Sequence, residues 1–132
     1  MNAQKIIEKL SKLKLKLTLA ESLTGGWIAK SITDVPGASK VFEYGYITYS
    51  DVSKNEMLGV PLDIIKKYGT VSEETVATMA QNAKNKSHAD IALAVSGLAG
   101  NETPAQTHAF LALCANNSTQ VQEIKYFGSR NQ

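Results

Sequence analysis

The chain has 132 residues, of which 20% are charged, and a formal net charge of +2. That length suits one domain around one core, and the near-neutral balance argues against the concentrated basic face that nucleic-acid binding requires. A lone cysteine, Cys114, leaves no internal disulfide and fits a reducing, cytoplasmic compartment; no apolar run approaches the roughly 18 residues of a membrane span, and no signal-peptide core is present. From the N-terminus, Ile6, Ile7, Leu10 and Leu13 recur at helical spacing and predict a helix over 3–13. Five lysines between Lys5 and Lys16 read as its solvated face and then the outer side of a strand. Residues 15–20 alternate, with Leu15, Leu17 and Leu19 on one side and Lys16 and Thr18 on the other, which predicts that strand. A helix follows Gly26, expected to carry Trp27, Ile28 and Ile32 inward, and "DVPGAS" at 34–39 stops it.

"YGYITYS" at 44–50 is aromatic and β-branched, a second strand. Residues 51–58 predict a short helix ending at Gly59, and "PLDIIKKYG" another, with Pro61 in its first turn. Ser72 reads as an N-cap, followed by Glu73 and Glu74 in the positive first turn and by an inward stripe of Val76, Met79, Ala80 and Ala83. "ADIALAVSG" at 89–97 is nearly all apolar, as a strand covered on both faces should be. "HAFLALC" and "VQEIKYF" predict two more strands, joined across "ANNST". The fold class expected is α/β: a single compact layered domain over 1–132, with a mixed β-sheet flanked by helices.

Three stretches sit where ligands gather in such folds, at loops leaving strand ends. The first is Ser22, Thr24, Gly25 and Gly26, between a strand and a helix. Its glycines serve either a plain tight turn with an N-cap or a site where helix-start amides receive a phosphate or an oxyanion. The second is "SGLAGN", which begins at Ser96 and Gly97 after the most apolar strand. The third is "TYSDVSK", placing Tyr49 and Lys54 five residues apart across a strand-to-helix junction. A lysine beside a serine acts as a general base only if its pKa falls well below the usual ~10.4. Two histidines, His88 and His108, read as structural, and with no cysteine pair neither a zinc site nor another metal is expected.

"LAESLTGGWIAKSITDVPGASKVFEYGYITYSDVSKNEMLGV", "YGTVSEETVATMAQNA" and "ADIALAVSGLAG" together resemble the C-terminal domain of the competence/damage-inducible CinA family, whose standalone members are nicotinamide mononucleotide amidohydrolases. The resemblance implies a compact α/β domain that converts nicotinamide mononucleotide and water to nicotinate mononucleotide and ammonia, without a cofactor. It places the family's nucleophilic serine on Ser22, its general-base lysine on Lys54, and a positioning or relaying tyrosine on Tyr49. It further implies substrate contacts from Thr24, Gly25, Gly26, Ser96, Gly97 and Arg130, the last as a phosphate clamp. Against the family's pattern, Leu23 stands where cysteine is usual, "NETPAQTHAF" lacks a glycine pair and a lysine, Ser129 replaces aspartate, and the family's final helix is missing after Gln132. These departures imply an alternative: a member with weakened or lost activity that binds a nucleotide or serves as an interaction module. They also lead to an expected homo-oligomer, in which a second subunit covers exposed apolar surface.

Overall fold

The computed structural model describes residues 2–98 and 107–126. In chain order the elements are α1 (Ala3–Leu13), β1 (Leu17–Glu21), α2 (Trp27–Thr33), a 3₁₀ turn (Ala38–Lys40), β2 (Phe42–Ile47), α3 (Asp51–Leu58), α4 (Leu62–Tyr68), α5 (Glu73–Ser87), β3 (Ile91–Gly97), β4 (Thr107–Ala115) and β5 (Ser118–Tyr126). They build one sheet of order β2-β1-β3-β4-β5, in which β1 runs parallel to both neighbours while β3–β4 and β4–β5 are antiparallel. Parallel neighbours need crossovers, and the chain supplies one on each side of the sheet. The crossover from β1 to β2 carries α2, and the return to β3 carries α3, α4 and α5.

Each face of the sheet has its own core. On one, Ile7 and Leu10 of α1, Ile32 of α2 and Val41 pack on Leu17 and Leu19, with Ile28, Ile91 and Leu93 partly covered. On the other, Val76, Met79, Ala80 and Ala83 of α5 pack with Leu58, Val60 and Ile65 over Ala20, Ala92, Ala94 and Ala112, with Phe110 and Cys114 beside them. The alanines under α5 are wholly buried and let the helix sit close to the strands, so its predicted stripe meets a surface of small side chains. Ser72 does cap α5, its hydroxyl accepting from the Thr75 amide at 3.1 Å.

Two sequence-based expectations are corrected. Trp27 does not point inward: it is 71% exposed at the first position of α2, whose inward line is Ile28 and Ile32, four apart. The second strand starts at Phe42 and ends at Ile47, because Ser50 leaves the sheet to cap α3 in a reciprocal box with Ser53. The pairing of β1 with β2 also holds a β-bulge: Leu17 faces Phe42 but Leu19 faces Gly45, so Glu43 and Tyr44 share one place opposite Thr18.

Candidate active site

The carboxyl end of β1 is a topological switch point, since the crossovers on its two sides lie on opposite faces, and it is at such points that open α/β sheets bind ligands. Register fixes what lines this end. Glu21 is level with Ile47 of β2 and with Val95 of β3. One residue further on, Ser22, Thr48 and Ser96 therefore form a row across three neighbouring strands. The ladder continues through them, with Thr48 N–H donating to the Glu21 carbonyl at 2.8 Å and Ser22 N–H to the Val95 carbonyl at 3.1 Å. Side chains alternate along a strand, so the row faces the same side as Ala20, Tyr46 and Ala94, beneath α3 and α5. All three hydroxyl residues are buried.

Lys54 comes down onto this row from α3. It lies four residues before the buried Leu58, on the inward face of that helix, and it is the largest side chain with no solvent exposure at all. Its Nζ is 3.0 Å from Ser22 Oγ and 3.0 Å from the Thr48 carbonyl oxygen. Burial pushes the Lys54 ammonium below its ordinary range, because removing charge from water is costly, while the Asp51 carboxylate one turn earlier pushes it back up. A lysine so placed is drawn toward the neutral amine, the form that can accept a proton.

The glycines make a tight turn, and the mouth of the helix after it is occupied from within the chain. Gly25 and Gly26 hold φ +59° and +100°, conformations open to glycine with little strain, and Gly25 N–H donates back to the Ser22 carbonyl at 3.1 Å. The mouth of α2 is taken by Glu21, whose carboxylate accepts from Ile28 N–H at 2.9 Å, Ala29 N–H at 2.8 Å and the Thr24 hydroxyl at 2.7 Å. Glu21 is 1% exposed, so a side chain of this protein fills the anion site at the helix start. The Thr24 hydroxyl is committed to it as well. Among the described residues, the amides of Leu23 and Thr24 have no acceptor, and they follow Ser22 directly. Sequence reasoning missed Glu21 because a charged residue at a strand end reads as surface; the hydroxyl three residues on, Thr24, was the available signal.

The other expected residues divide. The Ser96 hydroxyl donates to the Thr70 carbonyl at 2.8 Å, tying β3 to the loop before α5, while the Thr70 hydroxyl donates to Asp51 at 2.6 Å. Gly97 has a packing reason of its own, since a Cβ there would lie 2.7 Å from Ala109 Cβ and 2.8 Å from the His108 carbonyl oxygen. Tyr49 follows Thr48 at the rim, 56% exposed. Arg130 and the altered segment Asn101–Gln106 lie outside the described residues. Among the described residues no group of three or more His, Cys, Asp and Glu side chains could hold a metal, and no helix is long and apolar enough to cross a membrane.

The arrangement is thus a buried serine–lysine contact at the switch point of a small mixed α/β sheet. The family model of the CinA C-terminal domain matches residues 1–132, and the chain belongs to that family. A CinA-like protein of Akkermansia muciniphila is 57% identical over 95 residues, 72% of this chain and 23% of that protein. A CinA-like protein of Geotalea daltonii is 44% identical over 121 residues, 88% of this chain and 29% of that protein. The chain thus spans less than a third of the length of these relatives. Among solved structures, the competence/damage inducible protein CihA of Agrobacterium tumefaciens superposes with a TM-score of 0.88 at 35% identity, over 98% of this chain and 82% of its own. A CinA superfamily protein of Escherichia coli gives 0.91 at 27% identity, over 98% and 77%.

Proposed function

We propose that this domain is a hydrolase of carboxamides and that its substrate is nicotinamide mononucleotide, cleaved to nicotinate mononucleotide and ammonia. The observation that carries the reading is the 3.0 Å contact between Ser22 Oγ and a fully buried Lys54 Nζ. Neutral Lys54 takes the hydroxyl proton as Ser22 Oγ attacks the carboxamide carbon. The negative charge that develops on the carbonyl oxygen falls to the Leu23 and Thr24 amides, which serve as the donors of an oxyanion site. Lys54 then returns its proton to the departing nitrogen, ammonia leaves, and an ester remains on Ser22. Water attacks that ester, Lys54 takes one of its protons, and the nicotinate carboxylate is released with Ser22 restored.

The test is ammonia release from nicotinamide mononucleotide by the purified protein. Ser22→Ala is expected to reduce turnover by several orders of magnitude, with a folding cost of about 1–3 kcal/mol, because the fully buried Lys54 loses a partner. Retention of most ammonia release by Ser22→Ala would exclude the covalent route and require a directly activated water. No release by the parent protein would favour a non-catalytic, nucleotide-binding member.

A further inference from the structure

Among the described residues one buried side-chain polar atom has no hydrogen-bond partner, and it is Thr48 Oγ1. Thr48 is wholly buried, and leaving a hydroxyl unpaired away from water is unfavourable by about 1–3 kcal/mol. The orphan sits on the residue whose carbonyl already holds Lys54 at 3.0 Å, and in the strand-end row that contains Ser22.

The protons of Lys54 explain why such an acceptor is useful. As a neutral amine it has two N–H groups and one lone pair; when the lone pair is turned to the Ser22 hydroxyl, 3.0 Å away, one N–H goes to the Thr48 carbonyl and the second, an uncharged donor, is left over. As an ammonium it has three N–H groups. One points at the serine oxygen or the leaving nitrogen, and one stays on the Thr48 carbonyl. The remaining N–H, left over in the amine as well, now carries part of the positive charge and has a far greater need of an acceptor. We propose that the Thr48 hydroxyl is a positioning group for Lys54, turning to accept this N–H while the lysine carries the proton of Ser22. The inference rests on the serine–lysine reading above and adds a residue to it. It gives Thr48 its main part during turnover, when the N–H it would accept is charged.

Other charged and titratable groups near Lys54 are engaged elsewhere or lie at the periphery. Asp51 on α3 accepts from Thr70, and Glu21 on β1 is turned to α2. Tyr46 on β2 packs in the core, with Tyr49 exposed just beyond it. Lys86 of α5 donates to the Met57 carbonyl at 2.5 Å, and Lys67 of α4 lies over the Tyr68 ring.

The test reads the lysine directly. Protein labelled with ¹³C at lysine Cε is titrated by NMR as wild type, Thr48→Val and Thr48→Ser, and ammonia release is measured on the same samples. Thr48→Val keeps the shape and removes the hydroxyl. It is expected to raise the melting temperature, since an unpaired buried hydroxyl is removed, to move the Lys54 midpoint to lower pH, and to cut plateau kcat by about tenfold, one lost charge-assisted hydrogen bond in the transition state, with KM held. Thr48→Ser should restore the midpoint and kcat. An unchanged midpoint and kcat in Thr48→Val overturns the proposal, as does a Thr48→Ser that fails to rescue. Thr48→Ala carries the same expectations for midpoint and kcat should Thr48→Val misfold. Because the midpoint is read without substrate, a protein that shows the expected shift yet releases no ammonia overturns the proposed substrate and supports the role of Thr48.

Discussion

At the scale of single residues, the site depends on two buried ionisable side chains handled in opposite ways. Glu21 is surrounded by donors, three of them within 2.9 Å, which is how a carboxylate is kept in a dry place. Lys54 is given a serine and one carbonyl, and its charged form is disfavoured. The sign of the pH dependence follows. Between the depressed pKa of folded Lys54 and its ordinary 10.5, the unfolded chain holds a proton that the folded one has released, so stability rises with pH across that window. Activity needs the neutral amine and should rise through the same folded pKa. Asp51→Asn removes the charge that opposes the effect of burial, so the acid limb of kcat/KM is expected to move to lower pH. The shift should shrink in high salt, since Asp51 is exposed and screened. A pH–rate profile of the variant at two ionic strengths checks both points. Of these residues, Ser22 and Lys54 were legible through the family resemblance, whereas Glu21 and Thr48 were not, because an apolar-or-polar pattern says nothing about which hydroxyl lacks a partner.

At the scale of elements, the sequence was legible wherever a period persisted. The 3.6 repeat of Val76, Met79, Ala80 and Ala83 is the buried face of α5, and the apolar run before Gly97 is β3. A boundary moved where a cap intervened, at Ser50. At Gly97 the expected and observed strand ends coincide, and a close contact acts there instead. Gly97→Ala would press a methyl group against the backbone of β4, and the expected cost is about 1–3 kcal/mol, read as a lower denaturant midpoint with an unchanged slope. Met79→Ala, on the inner face of α5 and wholly buried, should cost about 2–5 kcal/mol by leaving a cavity. If Gly97→Ala lowers activity without lowering stability, Gly97 touches substrate, and packing alone does not explain it.

At the scale of the molecule, the two faces of the sheet are unequally covered by the described residues. On the side that carries α1 and α2, the core ends at β3, and Leu111 and Leu113 of β4 lie beyond it with Leu113 44% exposed. Apolar surface of this kind favours self-association, and a particle larger than one chain is expected in sedimentation at high concentration. Leu113→Glu should shift that equilibrium toward the monomer without lowering the melting temperature, and a wild-type chain that stays monomeric at all concentrations would contradict the expectation.

The bulge in β2 has a consequence for what lengths of chain this family member tolerates. Phe42 and Tyr46 are four apart and would share a face in a regular strand, yet they pack in opposite cores. The doubled place at Glu43 and Tyr44 inverts the alternation between them. Thr48 is downstream of that inversion. Deleting one residue at the bulge would straighten the strand, send Thr48 to the α2 side and bring its neighbours toward the switch point, while every residue of the serine–lysine pair remained in the sequence. An insertion of the same size in the turn at Asn116 and Asn117, on the far side of the sheet, would leave that alternation untouched. Tolerance to single-residue insertions and deletions should therefore be sharply unequal along the chain, and lowest at a segment that holds no proposed catalytic side chain.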